Sequence, residues 1–125
     1  MPVIPADPAN RVATPTGVMT RLATPSLGSV ELSTWRVRLE AGAISPVHII
    51  DREQVWLLAA GAIDFTVDGT TGHATVDQAM VVPAGSVRQF RAVGDGAAEA
   101  VVCMRSEGVA SIPGQDGTRP IPWAE

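Results

Sequence analysis

Twelve glycines and ten prolines punctuate the chain at short, fairly regular intervals, so no segment carries a sustained helical period of apolar residues. Between the breaks lie runs rich in Val, Ile, Thr and Trp that alternate in character, which is how short half-buried strands read. In Ser29 to Leu39, residues Trp35, Val37 and Leu39 share one parity while Arg36, Arg38 and Glu40 share the other, which turns the first set inward. Gln54 to Ala60 and Ala62 to Val67 read as two further strands separated by Gly61. Asp68-Gly69 suits a hairpin turn, since both residues tolerate positive φ. His73 to Val76, Ala79 to Val82, Val87 to Ala92 and Ala97 to Met104 supply the remaining strands, with a turn at Gly94-Asp95-Gly96.

Eight or so short antiparallel strands in 125 residues predict an all-β sandwich closing into a barrel, because closure hides strand edges. The chain is long enough for one domain and not for two. The strand-dense core spans about Ser29 to Arg105, after an N-terminal extension (1–28) made irregular by Pro2, Pro5, Pro8 and Pro15. A C-terminal tail (106–125) rich in proline and glycine follows it.

Composition narrows the function. Hydrophobic residues make up 46% and charged residues 18%, which excludes an intrinsically disordered chain. All nine basic residues are arginines, scattered from Arg11 to Arg119 against thirteen acidic ones, so a nucleic-acid partner is not expected. Without lysine there is no Schiff-base nucleophile. The single cysteine, Cys103, allows neither an internal disulfide nor a cysteine-based zinc cluster, and it reads as a small core residue. The longest uncharged apolar run, Val55 to Ile63, is nine residues, too short to cross a bilayer, and the first residues show no secretory pattern. The expectation is a cytoplasmic protein without a membrane partner.

Two histidines are present. His48 lies in a segment where Gly42, His48, Gln54 and Gly61 are spaced as glycine, five residues, histidine, five residues, glutamine, six residues, glycine. Downstream, Asp77, Pro83, Gly85 and Arg88 stand at the spacing of glycine, five residues, Pro-x-Gly, two residues, histidine. With these two motifs the sequence resembles the cupin superfamily in its small single-domain form, which implies a double-stranded β-helix, or jelly-roll, barrel. In metal-binding cupins two histidines and a glutamate from the first motif and a histidine from the second hold a divalent ion. Carried over position by position, His48 keeps the first ligand, Ile50 replaces the second, Gln54 the third and Arg88 the fourth. One good ligand facing a cation does not make a transition-metal site. No metal is therefore expected as cofactor, with His48 and Gln54 the ligands only if a degenerate site is occupied. Glu53 is no substitute, because a strand that turns Gln54, Trp56 and Leu58 inward turns Glu53 outward.

Arg88 has two readings: an ion pair with Asp51, Glu53 or Asp64, or a fixed guanidinium presented to a cavity walled by Trp56, Met80, Val82 and Phe90. His48 is either a structural histidine donating to a backbone carbonyl at a strand start or a neutral general base, with Arg88 as its oxyanion partner. The candidate catalytic pair is thus His48 and Arg88, with Gln54, Trp56, Met80, Val82 and Phe90 binding a small-molecule substrate. His73, just past a hairpin turn, reads as solvent-exposed; Trp35 reads as wall or core, and Trp123 as packing on the barrel or on a second subunit.

Three functions stay open at this point. One is a metal-independent isomerase or cyclase acting on a small anionic or enolisable molecule. Another is a metal-dependent, dioxygenase-like cupin using His48 and Gln54 with a divalent ion. The third is a non-catalytic ligand-binding or sensing module, so the residues do not decide whether the chain is an enzyme. The resemblance also predicts a homodimer, with residues before Ser29 free to pair or exchange edge strands.

Overall fold

The alternation in the Trp35 region is realised residue by residue: Ser33, Trp35, Val37 and Leu39 are buried, while Leu32, Arg36 and Arg38 are exposed. In a computed structural model, which describes residues 1–125, the same logic runs through twelve strands. They are β1 (Arg11–Ala13), β2 (Val18–Arg21), β3 (Leu32–Leu39), β4 (His48–Ile50), β5 (Gln54–Ala60), β6 (Ala62–Val67), β7 (Thr70–Thr75), β8 (Ala79–Val82), β9 (Val87–Val93), β10 (Ala98–Arg105), β11 (Val109–Ser111) and β12 (Arg119–Pro120). All pairings are antiparallel. One sheet has the order β1-β2-β3-β10-β5-β8, and the other β12-β11-β4-β9-β6-β7. The two sheets enclose a core that includes Trp35, Leu39, Trp56, Ile63, Phe65, Phe90 and Val102. The all-β jelly-roll barrel is therefore the fold.

Turn chemistry sets the joints. Asp68 and Gly69 both take positive φ, 47° and 84°, and close the β6–β7 hairpin so that Val67 faces Thr70. This ladder extends β7 to the turn itself, three residues earlier than the run beginning at His73. The four motif positions Gly42, Gly61, Asp77 and Gly85 likewise all have positive φ. At Gly61 a Cβ would lie 2.5 Å from the Ala97 carbonyl oxygen, so the β5–β6 joint tolerates no side chain.

Both ends of the chain are more ordered than their prolines suggest. Within the extension, Thr14 ties the β1–β2 turn by accepting from the Gly17 amide, and β2 pairs along β3 from Val18↔Arg38 to Arg21↔Trp35. The segment before Ser29 thus satisfies the edge of its own β3. Within the tail, β12 pairs with β11, while Ile121 and Ala124 are buried and the Ser33 hydroxyl donates to the Ala124 carbonyl at 2.6 Å. Strands of two to four residues carry no readable alternation, and tertiary pairing alone creates them. No helix of the chain is long and apolar enough to cross a membrane.

Candidate functional site

Between the sheets lies a cavity of about 310 Å³. Trp35 and Val37 from β3 and Gln54 and Trp56 from β5 line one side, and Ile50 from β4 and Phe90 from β9 line the other. Edge-to-face and tilted contacts stiffen this wall: Trp56 sits 4.9 Å from Phe90 and 5.0 Å from Phe65, centroid to centroid. The rim is largely proline (Pro15, Pro46, Pro120 and Pro122), whose fixed φ values limit its movement. Trp123 closes it from the C-terminal tail, packing on its own barrel, so all three tryptophans of the chain line the cavity. Among the lining residues the only ones with titratable side chains are His48 and Arg119.

His48 opens β4 and places its Nδ1 2.7 Å from the Pro46 carbonyl oxygen, the bond expected of a structural histidine. That carbonyl can only accept, so Nδ1 carries the proton and Nε2 keeps its lone pair. Burial holds the imidazole below its usual pKa and Arg88 adds to the depression, while the Pro46 carbonyl works the other way. His48 is thus both anchored and neutral, and it lines the cavity. The sign of the stability effect follows. Below the ordinary value of 6.5 the unfolded chain binds more protons than the folded one, so this contribution is present above 6.5 and is lost as pH falls through the folded value. Chemical denaturation from about pH 7 to about pH 5 is expected to show wild type losing stability more steeply than His48→Asn. Parallel profiles would contradict the depression.

Arg88 departs from both readings. It is buried, with 3% of its surface exposed, but it does not line the cavity, because Gln54 stands in front of it. Its guanidinium donates to the Pro83 carbonyl (2.7 Å), the Ser86 hydroxyl (3.1 Å) and Gln54 Oε1 (3.3 Å), with longer contacts of 3.4 Å to the carbonyls of Ile50 and Ser86. None of the expected carboxylates pairs with it: Asp51 takes Arg52, Asp64 takes His73 and Arg91, and Glu53 faces outward. Burial without an anion within 4 Å pushes its pKa down to about 10, against a weaker pull from Asp68.

Gln54 points inward as its parity requires, and its Oε1 accepts from both the Trp56 indole (3.2 Å) and Arg88. That double acceptance fixes the amide, since a flip would set NH2 against two donors. Met80 and Val82, also expected at the cavity, do not reach it. They lie on edge strand β8 opposite Trp56 and Gln54, and the cavity extends from β5 towards β3 and β2 instead. Val82 is fully buried, and the Met80 methyl fills the space over Gly72. His73 is exposed and holds Asp64 at 2.6 Å, while Cys103, expected in the core, is half-buried on the outer face of β10 between the buried Val102 and Met104. Arg119 was missed because it lies in the stretch read as an irregular tail; the signal that existed was Trp123, out of place in a polar terminus.

The four positions that hold an ion in metal-binding relatives still converge. His48 pairs directly with Arg88 in the β4–β9 register, and Arg88 touches both Gln54 and the Ile50 carbonyl. Their chemistry does not fit a divalent cation: one imidazole, one amide oxygen already shared by two donors, an alkyl group and a guanidinium. No group of three or more His, Cys, Asp or Glu side chains gathers elsewhere.

Comparison with known proteins agrees with this geometry. No curated protein matches the chain. Among solved structures, the cupin domain of Schizosaccharomyces pombe Cnp3 superposes with a TM-score of 0.66 at 19% identity, covering 78% of this chain and 69% of that one. A sugar phosphate isomerase of the cupin superfamily from Silicibacter pomeroyi gives 0.64 at 21%, covering 80% and 68%. An RmlC-like cupin from Shewanella frigidimarina gives 0.63 at 17%, covering 74% and 78%. At these identities the likeness speaks for the fold. The family model described as "Cupin domain" matches residues 35–104, more than half of the sequence, and the chain belongs to the cupin family.

Proposed function

We propose that the protein takes a small, largely apolar organic molecule into the barrel and acts on it without a metal, His48 serving as general base in a proton transfer such as an isomerisation or cyclisation. One observation carries this reading: an apolar cavity in which the single basic side chain with a free lone pair is His48 Nε2. Gln54, Trp56 and Phe90 shape the bound molecule's surroundings. A neutral imidazole whose Nδ1 proton is committed to Pro46 removes a proton from an acidic carbon through Nε2 and returns it elsewhere on the same molecule. A non-catalytic binding role is the second reading. Its support is that Arg88, the expected oxyanion partner, spends its donors on protein oxygens behind Gln54.

An enolisable apolar ketone separates the two. With 2-tetralone in D2O, wild type is expected to exchange the protons next to the carbonyl at least tenfold faster than His48→Asn, read by proton NMR. Equal exchange in both proteins, or none in either, removes the base and leaves the binding role.

A further inference from the structure

We propose that Arg119 is the anion receptor of this cavity, so that its ligand is an amphipathic acid: an apolar body of one or two rings inside the barrel and a single carboxylate at the mouth. The inference rests on the cavity being a binding site, as proposed above, and adds the ligand's charge and orientation.

Arg119 is the one cationic group among the lining residues, since His48 is held neutral. It is exposed at the rim, and it makes neither a salt bridge within 4 Å nor a side-chain hydrogen bond. Its backbone is held in place, since β12 pairs Arg119 with Ala110 and Val109 with Pro120, and the next residue, Ile121, is buried in the core. The guanidinium therefore extends from a fixed strand with its donors unclaimed. It also borders a recess of about 90 Å³ shared with Asp116, which forms no ion pair with it.

Behind the rim every other lining side chain is neutral, so the interior rewards an apolar body and penalises a buried charge. A cavity near the lower end of small-molecule pockets suits a compact molecule, and a carboxylate on it finds its one charged partner at the mouth. The protein's net charge of −4 opposes an acid at long range, so any preference for the charged ligand has to come from Arg119 itself. Arg88, the guanidinium that the motif places at the metal position, is unable to do this from behind Gln54.

A matched pair of probes tests the proposal by calorimetry: 2-naphthoate and 2-naphthamide share one aromatic body and differ in charge. Wild type is expected to bind the acid about fivefold more tightly than the amide, as suits an ion pair at an exposed rim, and Arg119→Gln is expected to bring the ratio to about one. A wild-type ratio near one, or a ratio that survives Arg119→Gln, overturns the role of Arg119 and leaves the cavity reading intact. Failure of wild type to bind either probe overturns both.

Discussion

Arg88→Ala is expected to lower the unfolding free energy by about 3–4 kcal/mol and the melting temperature by more than about 10 °C, measured by circular dichroism. Two effects oppose each other at this side chain. A guanidinium buried without an anion weakens the fold at neutral pH, because its folded pKa of about 10 lies below that of an arginine in the unfolded chain, and that penalty shrinks only as pH rises above about 10. Against it stand the bonds to Pro83, Ser86, Gln54 and Ile50, which tie the β8–β9 loop to the ends of β4 and β5. Hydrogen bonds to a charged donor contribute roughly 1.5–3 kcal/mol each, and truncation leaves buried acceptors orphaned beside a void. The bonds win. Arg88→Met separates the two effects, since it removes the charge and keeps most of the volume. It is expected to recover less than half of the loss. A methionine variant as stable as wild type would show instead that the charge is held against stability, and the structural account of Arg88 would be wrong.

Replacing Ile50 and Arg88 together by histidine is expected to turn the protein into a zinc binder. The positions already converge, for His48 and Arg88 are direct cross-strand neighbours, whose Cβ atoms in such pairs lie about 4.5–5.5 Å apart, and residue 50 lies two along β4 on the same face as His48. Three imidazoles there supply the donors that the present set lacks, with Gln54 beside them. Titration calorimetry is expected to find one Zn2+ per chain in the double variant with a dissociation constant below about 10 µM. Wild type is expected to show no such site. The metal-free variant should also melt early, having lost the Arg88 clip, and Zn2+ at about a hundred times its dissociation constant restores some 2.7 kcal/mol. If the double variant binds no more zinc than wild type, the four positions do not converge as described.

The strands with strong alternation were legible. Residues 54–60 and 62–67 begin and end in the structure where their parity and flanking turns place them, and 79–82, too short to alternate, is bounded by its flanking turns alone. Parity also told Gln54 from Glu53, which decided one face of the site. The terminal strands were not legible, because β1, β2, β11 and β12 are two to four residues long and exist only through their partners. For Arg88 the sequence suggested partners with charges, whereas its true partners include backbone carbonyls, which every residue carries and no residue type announces. Met80 and Val82 show a related limit: alternation tells inside from outside, but not which end of the barrel is left open.

The placement of Trp35, Trp56 and Trp123 around one cavity, in a chain without tyrosine, makes the protein its own optical reporter. Excited near 295 nm, all of its indole emission originates from groups that a cavity occupant would touch or dehydrate. Quenching or a spectral shift then identifies an occupant directly, so unlabelled compound collections can be screened against the native chain before any substrate is known.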